Sequence, residues 1–231
     1  MTAPVMYLPG WGSGARVWDD VRAQADDGTV VPWWDALRGE LDAALDAAAS
    51  PPVLVGWSLG GVLALDAAVR RPDAVRGLVL VSATARFLAD DEHPGAHPRE
   101  LRALRRDAGR DPEQALTTFW RRAAHPEDTA VADAWRERMS ADVPRASLVP
   151  GLDHLRDADV RAHLDGLEHP VHILHGTRDA VIPPGAGERL GMMLARVRVE
   201  RVETGHAVPL THPGTVAAAV RGLAAQDMVA A

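Results

Sequence analysis

The stretch "PPVLVGWSLGGVLALDAAVRR" (51–71) sets an apolar run against a helical pattern, with Ser58 held between glycines at the junction. "PVLVG" (52–56) reads as a buried strand. Val62, Leu65, Ala68 and Val69 then recur at the three- and four-residue spacing of one helix face. In a G-x-S-x-G turn of this kind the glycines permit close backbone approach, and the serine projects above the end of the sheet. A helix beginning near Leu59 aims its N-terminal amides at the same spot, which favours a developing oxyanion. The motif also fits a Gly-rich strand–helix turn with an incidental serine, so its meaning depends on the rest of the chain.

Outward from this turn, short apolar runs alternate with longer helical patterns, as expected of parallel strands joined by crossover helices. The strand candidates are 4–8, 29–33, 52–56, 77–82, 170–175 and 197–203. A further helix face is carried by Leu37, Leu41, Ala44, Leu45 and Ala48, and a last helix spans 215–225 after Pro213-Gly214. Between 86 and 169 no strand pattern appears, and 13 arginines face 17 acidic residues. Short helices are expected there around 98–108, 112–124, 128–140 and 157–167. The fold class is therefore α/β, a mostly parallel sheet of about six strands. Residues 1–85 and 170–231 form its core, and 86–169 is a helical insertion placed to cap the C-terminal edge, where open sheets bind ligands.

Serine is a poor nucleophile at neutral pH unless a base accepts its proton, and the base needs an orienting acid. "HILHGTRDAVIP" supplies Asp179 just beyond one strand, and "VERVETGHAVPLTHP" supplies His206 just beyond the last. Taken singly, Asp179 fits a turn aspartate and His206 a solvated loop histidine. Together with Ser58 they stand in the order Ser, Asp, His, each at the C-terminal end of its own strand, as an acyl-transfer triad requires. "YLPGWGSG" (7–14) follows the first strand, so the amide of Trp11 could pair with that of Leu59 to form an oxyanion hole, while its indole anchors the core or lines an acyl pocket. Ser13 and Ser82 are alternative nucleophiles without a strand–helix elbow.

These segments resemble the serine α/β-hydrolases, and within them the pimeloyl-[acyl-carrier protein] methyl ester esterase family of biotin synthesis. The resemblance rests on "LPGWGSGARVWDDV", "GWSLGG", "LVLVSATARFLADDEHPG", "LHGTRDAVIPP" and "GHAVPLTHP". It implies a carboxylesterase whose Trp11 and Leu59 amides hold the oxyanion beneath a helical cap. The first loop departs from the family in reading Pro9-Gly10, the usual preceding strand pair is missing, and the stretch from Trp18 to Gly56 is shorter. These changes trim the sheet and reshape one pocket wall around Trp33 and Trp34. An acidic carrier protein calls for basic residues on the enzyme. Arg99, Arg102, Arg106 and Arg110 share one helical face, either as a docking stripe or as a solvated face. Trp57 is a candidate pocket wall, and Phe119 and Trp120 line an acyl tunnel or fill the cap's own core. A general short-chain carboxylesterase, a perhydrolase or C–C hydrolase with the same triad, and a non-enzymatic ligand receptor on this fold are the competing functions.

Composition narrows the field further. The 231 residues are 47% hydrophobic and 25% charged, which suits a soluble globule with a sizeable core. A formal net charge of −7 argues against nucleic acid as a partner. All 25 basic residues are arginine, which excludes lysine Schiff bases, and the absence of cysteine excludes disulfides and thiolate chemistry. His93 and His97 are four apart, but Pro94 and Gly95 between them argue against a helical ligand pair. No metal and no cofactor are expected. The N-terminus lacks a signal-peptide pattern, and no apolar run approaches the roughly 18 residues of a spanning helix. The expectation is a cytoplasmic protein away from membranes, with a monomer favoured.

Overall fold

The computed structural model describes residues 2–225. Six strands, β1 (Val5–Leu8), β2 (Thr29–Val30), β3 (Val53–Trp57), β4 (Gly77–Val81), β5 (Val171–Gly176) and β6 (Val197–Val202), form one sheet in the order β2-β1-β3-β4-β5-β6. Every pairing is parallel. Residues in β1, β3, β4 and β5 are buried throughout, as expected of strands covered on both faces, whereas the edge strand β6 is largely exposed. Each buried Val, Leu or Ile side chain there contributes about 1.5–3 kcal/mol of transfer free energy, which is why the sheet centre organises the molecule.

The connections leave β1 and β3 toward opposite sides of the sheet, so the crevice above these neighbours is the topological switch point, where α/β sheets take their ligands. The loop after β1 carries Trp11 and the turn after β3 carries Ser58, so both stand at that crevice. The helix Leu59–Arg70 packs against β3 and ends at Arg71-Pro72, where proline cannot continue it.

Between β4 and β5 the chain is helical, with Pro98–Arg110, Pro112–Ala123, Thr129–Met139 and Leu148–Asp157. The first three begin at side-chain caps. His97, Asp111 and Asp128 accept hydrogen bonds from the amides of Arg99, Gln114 and Val131. Their contacts are buried Leu, Phe, Trp and Ala inside and ion pairs outside, including Arg105 Nε to Asp153 Oδ1 at 2.6 Å and Arg122 to Glu100 at 2.8 Å.

Three expectations need correction. The strand expected over 29–33 is only Thr29–Val30, because Pro32 then begins a short helical turn, Trp33–Ala36. The helix expected over 157–167 is a brief turn at Arg161–His163, and the helix in that region is Leu148–Asp157 instead. Pro150 stands in the first turn of that helix, where proline is tolerated. The last helix starts at Pro213 rather than after it, since proline suits the first helical position.

Candidate active site

Ser58 lies between β3 and the helix Leu59–Arg70 with φ of 54° and ψ of −118°. A non-glycine residue held at positive φ is strained, by about 1–3 kcal/mol, and such strain persists where packing over-determines the turn. Here Ser58 N donates to Val81 O at 3.0 Å, while Gly61 N and Val62 N donate to Ser58 O. The glycine two residues on is also forced, since a Cβ at Gly60 would run into the carbonyl of Leu8. Leu59 is the first residue of the helix, so its amide has no carbonyl one turn earlier and faces the crevice end.

The loop after β1 reaches the same place. A methyl group on Gly10 would stand 3.1 Å from Ser58 Cβ and 2.8 Å from Trp57 Cε3. Trp11 follows, with its indole Nε1 donating to Leu148 O at 2.8 Å and its ring edge-on to Phe119 at 5.1 Å. The indole is therefore spent on the helical segment, while the preceding Gly10 brings this loop against Ser58.

Asp179 and His206 meet from the ends of β5 and β6. His206 Nδ1 lies 2.8 Å from Asp179 Oδ2, and neither side chain is exposed. Asp179 Oδ1 accepts the amides of Val181 and Ile182, both at 2.8 Å. Burial opposes ionisation of Asp179, but the adjoining His206 and His175, with their hydrogen bonds, hold its carboxyl below the usual carboxylate range. The two loops are laced together by Thr177 N to Val202 O at 2.8 Å and Arg178 N to Thr204 O at 2.9 Å. His206 is tied to the serine turn as well. Trp57 Nε1 donates to His206 O at 2.9 Å, and the two rings lie 5.4 Å apart. With Nδ1 turned to the carboxylate, His206 Nε2 is buried without a hydrogen-bond partner, an acceptor held ready for a proton.

The helix Pro112–Ala123 closes over this group. Phe119 lies 6.4 Å from the His206 ring, Trp120 lies 5.9 Å from Trp57, and Trp120 Nε1 donates to Ser140 Oγ at 2.8 Å. Gly205, next to His206, lies so close to the carbonyl of His125 that a Cβ there would collide with it. The structure thus gathers Ser58, Asp179, His206, Trp11, Leu59, Trp57, Phe119 and Trp120 in one buried region. Arg99, Arg102, Arg106 and Arg110 stand apart on the exposed side of Pro98–Arg110.

Ser13 gives its hydroxyl to Gly10 O at 2.9 Å. Ser82 also has positive φ, 46°, and a buried unpartnered hydroxyl, but no helix follows it to supply amides. Among the described residues no three His, Asp or Glu side chains converge as a metal site. One buried neighbour of the acid escaped the sequence reading: His175, whose place inside β5 carries no spacing signature.

A parallel sheet whose switch point carries a strained serine turn, with an acid–histidine pair on the following strand ends, defines an α/β hydrolase. Residues 6–219 match the model of the Alpha/beta hydrolase family, and the chain belongs to that family. It is 34% identical to the pimeloyl-[acyl-carrier protein] methyl ester esterase of Aromatoleum aromaticum over 90% of this chain and 93% of that protein. It is 30% identical to the protein of the same name from Methylococcus capsulatus, over 90% of this chain and 89% of the other. Among solved structures, an esterase from Exiguobacterium antarcticum superimposes with a TM-score of 0.82 at 21% identity, covering 98% of this chain and 94% of its own. An enol-lactonase from Burkholderia xenovorans LB400 gives 0.82 at 17% identity, covering 98% and 93%. At such identities the structural matches establish the fold alone.

Proposed function

We propose that this protein is a serine carboxylesterase acting on pimeloyl-[acyl-carrier protein] methyl ester. The carrying observation is the fully buried His206, which has Nδ1 fixed by Asp179 and Nε2 unpartnered beside the strained Ser58 turn. Ser58 Oγ attacks the ester carbonyl while His206 Nε2 takes the hydroxyl proton, and Asp179 stabilises the resulting imidazolium. The amides of Trp11 and Leu59 receive the oxyanion. Collapse breaks the bond to the alkoxide, which leaves as methanol with the proton from His206. Water, deprotonated by His206, then attacks the acyl-enzyme, and the free carboxylic acid departs as Ser58 regains its proton.

Residues 86–169 act as the cap in this reading, with Trp11, Trp57, Phe119 and Trp120 lining the acyl path. The relatives that share the name over most of the chain support the substrate, and the exposed arginines at 99, 102, 106 and 110 offer an acidic carrier its docking face. A fluorophosphonate probe should label the native chain and spare Ser58→Ala. Methanol release from pimeloyl-[acyl-carrier protein] methyl ester should exceed that from a free short-chain methyl ester at equal concentration. Fast turnover of p-nitrophenyl butyrate with no methanol from the carrier-bound ester would assign a general carboxylesterase instead.

A further inference from the structure

We propose that His175 is a positioning residue for the acid of this site, donating its Nε2–H to Asp179 and thereby fixing the carboxylate that orients His206. The inference rests on the catalytic reading of Ser58, Asp179 and His206 given above.

His175 is the penultimate residue of β5 and is buried. Its Nε2 lies 3.0 Å from Ile182 O and 3.3 Å from Asp179 Oδ2. A carbonyl oxygen only accepts, so the hydrogen resides on Nε2, bonded to Ile182 O with Asp179 Oδ2 within reach. Nδ1 is buried without a partner, and an N–H there would be stranded, at a cost of about 1–3 kcal/mol. Gly187 lies flat against this edge, where a Cβ would collide with Nδ1. The ring is therefore held with its Nε2 donor turned toward Ile182 O and the acid.

The consequences follow from what else Asp179 receives. Oδ1 takes the amides of Val181 and Ile182, while Oδ2 takes His206 Nδ1 and has His175 Nε2 3.3 Å away. The Ile182 carbonyl returns to His175, so the acid loop is stapled to β5 by the same residue whose amide grips the carboxylate. Without His175, Oδ2 would be held by His206 alone, the group it must orient, and His175 adds a contact from β5 that is independent of that histidine. Its hydrogen bond also draws charge from the oxygen that receives His206 Nδ1–H. The outer charges around this group are Arg201, the register partner of His175, paired with Glu188; Arg122, bonded to Ala180 O; and Arg178, bonded to Glu203 O. None of these contacts is altered by the variants below.

The test compares His175→Phe, which keeps a ring but has no donor, with His175→Gln, whose amide nitrogen reaches the place of Nε2. For a p-nitrophenyl ester, His175→Phe is expected to lose roughly 10- to 100-fold in kcat with KM little changed, the scale of a misplaced catalytic group. Its acidic limb of kcat/KM should move to higher pH, because Asp179 then stabilises imidazolium more strongly. His175→Gln should recover most of the rate and the native limb. A native rate and limb in His175→Phe overturns the proposal, as does a Gln variant as impaired as Phe. Should His175→Phe not fold, nitrogen-15 spectra of the native protein at pH 8 decide directly. They must show His175 as the Nε2–H tautomer, and an Nδ1–H tautomer overturns the assignment. Native protein that takes no phosphonate at Ser58 would remove the catalytic reading itself, an outcome distinct from these.

Discussion

The floor and the roof of the buried site exclude water by opposite means. The floor is β1, β3, β4 and β5, strands without a single Asp, Glu or Arg and buried along their full length. The roof is the helical segment between β4 and β5, whose inner face is apolar and whose outer face is dense with arginine–carboxylate pairs. Ser58, Asp179 and His206 are mounted on the apolar floor, whereas the exposed face of the roof is charged.

This division can be tested in descending order of effect. On the floor, Ser58→Ala should lower ester hydrolysis by about a million-fold. Its thermal midpoint should stay near native, because the hydroxyl contributes no packing. Asp179→Asn should cost about 10,000-fold in kcat through the wrong imidazole tautomer, measured with the same ester. Retention of more than a tenth of native kcat would show that another group orients His206.

At the seam, Trp120 is fully buried and its indole bonds Ser140. Trp120→Ala should cost about 3–5 kcal/mol in urea unfolding, in a single transition if floor and roof are coupled. Two separate transitions would break the comparison into independent units.

Acid should distinguish the two regions more gently. Arg161 holds the Asp159 carboxyl low, as do Arg105 for Asp153, Arg156 for Asp157 and the Glu92 amide with Arg161 for Asp90. Carboxyls depressed on folding stabilise fully above their unfolded value of about 3.9, and that contribution disappears as pH falls through the folded values. Amides of 86–161, a segment holding these four depressed carboxyls against Asp179 alone on the floor, should therefore exchange hydrogen before those of β3 and β4 as pH drops from about 4 to 2. Simultaneous exchange would count against a roof held by charge. The smallest effect belongs to a single half-exposed pair. Arg105→Gln should shift urea stability by at most about 1 kcal/mol, and less in high salt.

The contrast also explains what could be read from the chain. Strands buried on both faces appear as uninterrupted apolar runs, so β3, β4 and β5 were legible, and Ser58 and Asp179 were found because each follows such a run, whereas His206 was found beyond the alternating, exposed edge strand β6. The helices expected around 98–108, 112–124 and 128–140 form as Pro98–Arg110, Pro112–Ala123 and Thr129–Met139, each begun by a side-chain cap. Leu148–Asp157 was not expected, and it carries Pro150 and Gly151 inside it. Gly151 is in fact required, since a Cβ there would meet Trp33 at 2.7 Å and Trp11 at 2.8 Å. His175 was invisible for another reason. A histidine inside an apolar strand has no local pattern, and only the turn of the acid loop brings Asp179 and Ile182 back onto it.

The contact between Gly205 and the His125 carbonyl bears on how such a protein can change over generations. The residue beside the histidine has no room for a side chain because the roof rests on it. A roof exchanged wholesale for that of a relative must reproduce the main-chain path at 125 or displace His206. A side chain at position 205 would meet that carbonyl, so the path of the helical segment and the choice of residue at 205 are fixed together.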